Sequence, residues 1–187
     1  MATKTKVIIG IPSSGRMMDR TAVSLAGITL ISHDVITDVI LKQACDVVSS
    51  RTAIVQEAVE KGATHLLFMD TDMIFPSDSL KRLLAHKKEI VACDYNMRSF
   101  PLKSTCESEE RSETELFKAK YAGTGLMLID LSIIPKLKNP WFSFGRGSHG
   151  ELTLGEDAWF CFTAGDSGFS TWVDPTIKVG HCGEFIY

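Results

Sequence analysis

The sequence lacks the features of several large classes of protein. None of its apolar runs approaches the ~20 residues of a membrane-spanning helix. The apolar run near the start ends at Pro12 and is too short for the core of a signal peptide. The five cysteines are odd in number and scattered, which disfavours a disulfide framework and a zinc site. We therefore expect a cytoplasmic protein without a membrane span.

Common nucleotide-binding motifs are also missing. The chain has neither G-x-G-x-x-G nor G-x-x-x-x-G-K-[ST], which disfavours a dinucleotide-binding Rossmann domain and a P-loop. A net charge of −3 gives no basic footprint for nucleic acid, although it leaves open a local basic groove or modified DNA as an acceptor. With 187 residues of ordinary composition, the chain predicts one domain over 1–187 with a substantial core.

Short apolar runs alternate with helical patterns. This alternation predicts an α/β fold with a mainly parallel sheet. The predicted strands are 6–11, 35–41, 65–69, 89–93 and 121–130, and the predicted helices are 16–28, 46–61, 76–86, 131–137 and 155 to about 165. The polar tract 94–120 has no sustained apolar period, so we expect a long loop or hairpin at the sheet edge, with disorder as the alternative for 107–115.

An aspartate pair, Asp70-Thr71-Asp72, follows the predicted strand 65–69. Positions i and i+2 of an extended chain point the same way, with Cα atoms roughly 6.5 Å apart. Two carboxylates at that spacing repel by about 2 to 3 kcal/mol at an effective dielectric near 20, which a divalent cation would turn into attraction. Open α/β sheets bind ligands at this end of their strands. The alternative is a solvated turn in which Asp72 or Ser77 caps the next helix.

The aspartate pair is one of several motifs that occur in a characteristic order along the chain. FMDTDMIFP, with Arg51 in the preceding helix and GEDAWFC, GFSTWVDP and VGHCG after it, resembles the GT-A type glycosyltransferases, in particular small family-2-like members from bacteria and phages. The resemblance covers most of the chain. It implies a GT-A-like sandwich and a metal-dependent transfer of sugar from a UDP- or GDP-sugar to an unidentified acceptor, with Mn²⁺ or Mg²⁺ as cofactor.

The resemblance also implies roles for individual residues. The implied donor contacts are Pro12, Ser13, Arg51, Asp70, Thr71 and Asp72. The implied metal ligands are Asp70, Asp72 and His181, and the implied acceptor-side residues are Tyr95, Arg98, Gly123 and Trp172. Asp157 would be the general base of an inverting reaction, which we favour over a retaining one, and Glu156 would orient the acceptor or the helix start. Thr52 departs from the Arg-Asn pair that the family often has.

Several of these positions have a plainer interpretation. Pro12 and Ser13 could form an ordinary strand-to-helix turn, and Arg51 could be a solvated helix residue. Acidic residues in a first helical turn are stabilised by the helix dipole, and a lone histidine is often incidental. Gly123 could mark a bulge.

Two other functions compete with glycosyl transfer. Nucleotidyl transfer on the same fold would need a glycine-rich, basic first loop, which IPSSGRMMD lacks. A catalytically silent module that binds nucleotide sugars or carbohydrates is the other alternative. On the acceptor side we also expect the glycine-rich loop 141–150 to flex over a site.

Overall fold

Strands and helices alternate along the computed structural model, which describes residues 4–183. The first half contains β1 (Val7–Pro12), α1 (Asp19–Ile31), β2 (Ile36–Lys42), α2 (Val47–Glu60), β3 (His65–Met69), β4 (Met73–Ile74), α3 (Ser79–Ala85) and β5 (Ile90–Cys93). The second half contains β6 (Phe117–Ala119), β7 (Leu126–Asp130), a 3-10 helix (Leu131–Lys136), β8 (Gly145–Arg146), β9 (Leu152–Leu154), α4 (Glu156–Asp166), β10 (Thr171–Asp174) and β11 (Gly180–His181).

The main sheet has seven strands in the order β2-β1-β3-β7-β5-β10-β6. Five strands run in one direction, while β7 and the edge strand β6 run against their neighbours. The predicted mainly parallel sheet is therefore confirmed, but its antiparallel strand β7, between β3 and β5, was not anticipated. Because β1 and β3 are parallel neighbours, with Gly10 opposite Phe68, their carboxyl ends meet at one edge.

Helices cover both faces of the sheet. Alternate residues of β1 separate the two cores: Ile8 packs with residues of α2 and α4, whereas Ile9 packs with residues of α1 and α3. Gly10 permits close approach of α2, because a Cβ atom there would lie 2.5 Å from Ile54 Cγ2. The result is the expected α/β sandwich, in which α2 is held firmly against the strands that lead to the site.

The tract between β5 and β7 is irregular except at its end. Isolated bridges join Asn96 to Ser104 and Glu107 to Tyr121, and β6 pairs antiparallel with β10 at the sheet edge. The position at the edge agrees with the sequence interpretation. The strand β6 was missed, since only three residues form it and they pair with a distant segment.

A buried carboxylate joins the end of β10 to α3. Asp174 accepts hydrogen bonds from His86 Nε2 at 2.8 Å and from the backbone N–H and hydroxyl of Thr176 at 2.8 and 2.6 Å. Burial acts to raise the pKa of Asp174, but the hydrogen bonds from Thr176 and His86 outweigh it and hold the pKa below its ordinary value. The ionised form of Asp174 thus stabilises this corner of the fold.

Two sequence expectations concern composition. All five cysteines are free thiols. Within residues 4–183, every helix is too short or too polar to cross a membrane.

Candidate active site at the carboxyl ends of β1 and β3

A cavity of about 570 Å³ opens where β1 and β3 end. Its volume is within the range of small-molecule sites, roughly 300 to 1,000 Å³. The predicted donor contacts all line it, together with three further predicted residues: Pro12, Ser13, Arg51, Asp70, Thr71, Asp72, Arg98, Glu156 and His181. Segments from both halves of the chain therefore meet at the edge where α/β sheets bind ligands.

Arg51 connects the two acidic segments of the cavity. Its side chain is 3% exposed, which excludes a solvated helix residue. The guanidinium donates to Asp70 Oδ1 at 2.9 Å and to Glu156 Oε1 at 3.4 Å, and it lies 5.2 Å from the centre of the Phe68 ring. Burial acts to lower the pKa of Arg51, but the two carboxylates outweigh it and raise the pKa above its ordinary value. Arg51 thus carries a permanent buried charge, and its Nη1 is buried without a partner.

Asp72 faces a different pair of cations. Its Oδ2 lies 3.4 Å from His181 Nε2 and 3.2 Å from Arg98 Nη1, whereas its Oδ1 is buried without a partner. Burial acts to raise the pKa of Asp72, but His181 and then Arg98 lower it below its ordinary value. Asp78, rather than Asp72 or Ser77, precedes the first turn of α3, so the capping alternative is wrong.

A two-stranded ribbon brings His181 to Asp72. Strand β11 pairs antiparallel with β4, with His181 opposite Met73, and the Cys182 N–H donates to the Asp72 carbonyl at 2.8 Å. His181 Nδ1 lies 2.9 Å from the Asn96 carbonyl, which fixes the ring orientation. The bond with Asp72 raises the pKa of His181, against burial, which lowers it. His181 is therefore a built part of the site.

The three residues predicted as metal ligands are not assembled as one group. Among residues 4–183, no cluster of three His, Cys, Asp or Glu side chains is arranged to hold a metal ion. Asp70 accepts from Arg51, whereas Asp72 and His181 form a separate pair. This pair fits a cation in one respect, since Asp72 Oδ1 is an unsatisfied buried acceptor. In its neutral form, an imidazole whose Nδ1–H donates to a carbonyl can bind a metal through Nε2, which here faces Asp72.

The acidic pair begins α4 as predicted. Glu156 and Asp157 are its first two residues, after Gly155 at the N-cap, so the helix dipole also favours their charges. The Ala158 N–H donates to Asp157 Oδ1 at 2.7 Å. Burial, followed by repulsion from Glu156, raises the pKa of Asp157 above its ordinary value. Asp157 is therefore a more basic carboxylate than a solvated aspartate, as proton abstraction requires.

Two predicted acceptor-side residues are buried against each other. Tyr95 is 8% exposed, and its hydroxyl accepts from the Gly125 N–H at 2.9 Å. A Cβ atom on Gly123 would lie 2.3 Å from that hydroxyl oxygen, so the small residue accommodates Tyr95. Burial raises the pKa of Tyr95. The interpretation of Tyr95 and Gly123 as an acceptor surface is corrected: they pack behind the strand end, where the Gly125 carbonyl also accepts from the Asp70 N–H.

The remaining acceptor-side predictions divide between two places. Arg98 lines the cavity described above and also a neighbouring one of about 630 Å³. Trp172 lies in β10, where Lys88 Nζ and Lys118 Nζ are 4.1 and 5.4 Å from its ring centre. Trp172 is thus a packing residue with two cationic neighbours rather than a part of either cavity wall.

The loop 141–150 is partly anchored. Phe142 is buried, stacks on Phe160 and makes a T-shaped contact with Phe68. Strands β8 and β9 then form a short hairpin, tied by the bond from Arg146 Nη1 to the Gly150 carbonyl at 2.9 Å. The base of this loop is therefore fixed in the core next to the strand that carries Asp70.

Several cavity residues were not predicted from the sequence. They are Ser14, Arg16, Met18, Ala44, Cys45, Asp46, Val47 and Ser50. Three of them, Ala44, Cys45 and Asp46, lie in the turn from β2 into α2, where Asp46 caps the helix by accepting from the Ser49 N–H. The sequence could have indicated this turn as part of the site, because it follows a predicted strand of the parallel sheet, and β2 ends at the same edge as β1.

Solved structures of other proteins share this architecture. The chain is similar to A197 from the virus STIV, with 17% identity and a TM-score of 0.69 over 96% of this chain and 87% of that one. It is also similar to residues 1–349 of TarS from S. aureus, a glycosyltransferase, with 13% identity and a TM-score of 0.56. A structure of that TarS fragment in complex with UDP gives a TM-score of 0.54, again at 13% identity.

These similarities are structural only. The match covers 95% of this chain, but the chain spans only 60% of the length of the TarS fragment. No family model matches the chain, and no curated protein sequence matches it. The chain therefore has a GT-A-like α/β fold, and its substrates are a separate question.

Proposed function

We propose that this protein transfers a sugar from a nucleotide-sugar donor to an acceptor hydroxyl. The observation that carries the proposal is the convergence of Arg51, Asp70, Asp72, Glu156 and His181 on one cavity at the carboxyl ends of β1 and β3. A TarS structure with the same fold contains UDP, which supports a uridine diphosphate donor. Pro12, Ser13 and the start of α2 would contact the nucleoside.

In the proposed reaction the acceptor oxygen attacks the anomeric carbon. The new C–O bond forms as the bond to the diphosphate oxygen breaks, and that oxygen keeps the electron pair. The hydroxyl proton passes to the Asp157 carboxylate, whose raised pKa suits a general base. Glu156, held by Arg51, would orient the acceptor. This assignment of the base requires an inverting reaction.

We further propose a divalent metal, Mn²⁺ or Mg²⁺, held by Asp72 and His181, with diphosphate oxygens completing its ligands. Such a metal would act as a Lewis acid toward the leaving diphosphate. The sequence predicted Asp70 as a third metal ligand. Because Asp70 is bonded to Arg51, we propose instead that it holds Arg51 in place.

Calorimetry with UDP and Mn²⁺ tests this proposal. Asp72→Asn should weaken metal-dependent UDP binding by about 10-fold or more. Asp78→Asn is the matched control, because Asp78 is exposed and its side chain makes no cap bond. Equal binding by wild type and Asp72→Asn would remove Asp72 from the site.

Release of nucleotide from UDP- and GDP-sugars separates the rival functions. Turnover in the presence of a suitable acceptor excludes a silent binding module. Chemistry that depends on pyrophosphate would favour nucleotidyl transfer instead. NMR of the product gives the stereochemistry, and retention of the anomeric configuration would remove Asp157 from the role of base.

A further inference from the structure

Arg98 stands between the two cavities. It lines both of them, together with Met18 and His181. Its side chain is 58% exposed, and its one ion pair is the 3.2 Å contact from Nη1 to Asp72 Oδ2, among the pairs within residues 4–183. Gly183 lies beside the arginine stem, where a Cβ atom would make an ordinary contact of 3.4 Å with Arg98 Cδ.

Two of the three arginines that line the cavity, Arg51 and Arg98, differ in their freedom to move. The side chain of Arg51 is only 3% exposed, and it is bonded to two carboxylates from distant segments of the chain. Moving Arg51 away would leave the carboxylates of Asp70 and Glu156 without their cationic partner. Arg98 is held by one carboxylate at an exposed position, where an ion pair contributes little. Of the two guanidinium groups, only that of Arg98 can be redirected toward a ligand at low cost.

Asp72 also gains from an exchange of partners. Its Oδ2 is shared by Arg98 and His181, while its buried Oδ1 has no partner. A divalent cation can satisfy both a carboxylate oxygen and a neighbouring imidazole nitrogen. An incoming cation would therefore compete with Arg98 for the carboxylate of Asp72.

We propose that Arg98 moves from Asp72 to the diphosphate of the donor and stabilises it as the leaving group. This inference rests on the proposed function and adds a catalytic residue that the sequence interpretation had assigned to the acceptor side. As the bond to the anomeric carbon breaks, negative charge develops on a diphosphate oxygen. A guanidinium can meet that charge with two parallel N–H bonds. The same movement frees Asp72 for the metal.

Two opposite effects of one substitution test the exchange. In Arg98→Gln, Mn²⁺ alone should bind a few-fold more tightly, because the competing cation is gone. UDP in saturating Mn²⁺ should bind about tenfold more weakly, since a bond between charged groups is lost. Uridine, which lacks phosphate, should bind both proteins equally. Arg98→Lys should fall between, because it keeps the charge without the planar fork.

Arg111→Gln is the matched control, since Arg111 belongs to the same tract and pairs with Asp94 outside the cavity. Its binding of Mn²⁺, UDP and uridine should equal that of wild type, and thermal melts check that each variant is folded. Unchanged UDP binding by Arg98→Gln would overturn the inference and leave the proposed function standing. Weaker binding of Mn²⁺ alone would overturn the exchange, because Arg98 would then support the cation site. A wild-type protein that binds no UDP would overturn the proposed function itself.

Discussion

Replacement of Arg51 by methionine tests whether the site depends on one buried charge. The change removes the partner of Asp70 and Glu156 while keeping much of the apolar stem over Phe68. Removing one member of a buried ion pair costs about 3 to 5 kcal/mol. Because Asp70 and Glu156 retain 29% and 15% exposure, water can compensate part of the loss. We therefore expect a loss of about 3 kcal/mol, or roughly 6 to 12 °C in Tm for a domain of this size.

Urea denaturation followed by fluorescence would measure the loss. Arg111→Met is the control, since its partner Asp94 lies in a loop and Arg111 is 44% exposed, so its effect should stay within about 1 kcal/mol. Adding Glu156→Gln to Arg51→Met should recover part of the loss, because one unpaired carboxylate is neutralised. If Arg51→Met were as stable as Arg111→Met, the buried charge would not hold β3 and α4 together.

Three further predictions concern stability and activity. Asp174→Asn should destabilise the protein at neutral pH, and the difference from wild type should shrink as pH falls through the lowered pKa of Asp174; urea melts from pH 7 to pH 3 would show a constant difference if the reasoning is wrong. Gly123→Ala should cost about 1 to 3 kcal/mol by displacing Tyr95, and the cost should fall in a Tyr95→Phe background, as thermal melts can check. Asp157→Asn should lower transfer by about 10² or more with UDP affinity within a few-fold. It should also raise stability at neutral pH, because the raised pKa means that ionised Asp157 destabilises the fold, and this gain should vanish at low pH.

Local signals predicted much of the sheet. The apolar run 65–69 is the strand His65–Met69, and the helical pattern 46–61 is α2 with Asp46 as its cap. Both follow from the chain's own periodicity and from polar residues at the element ends. The positions of Asp70 and Asp72 at a strand end follow from the same signals.

Contacts between distant segments were beyond these signals. The strand predicted for 121–130 begins only at Leu126, because Gly123 and Gly125 accommodate Tyr95 instead of continuing the ladder. The burial of Arg51 depends on where Glu156 ends up, which no local pattern contains. Likewise, the approach of His181 to Asp72 follows from pairing of two-residue strands that are too short to be recognised in the sequence.

The ribbon of β4 and β11 has a consequence for how the site opens. Two residue pairs hold it, so its separation breaks few bonds and leaves the seven-stranded sheet intact. Such local openings require far less free energy than global unfolding. Separation would carry His181 away from Asp72, so ligand affinity can be set by the population of the closed ribbon independently of the melting temperature. Hydrogen exchange at the Cys182 N–H, which donates to the Asp72 carbonyl, would report that population directly.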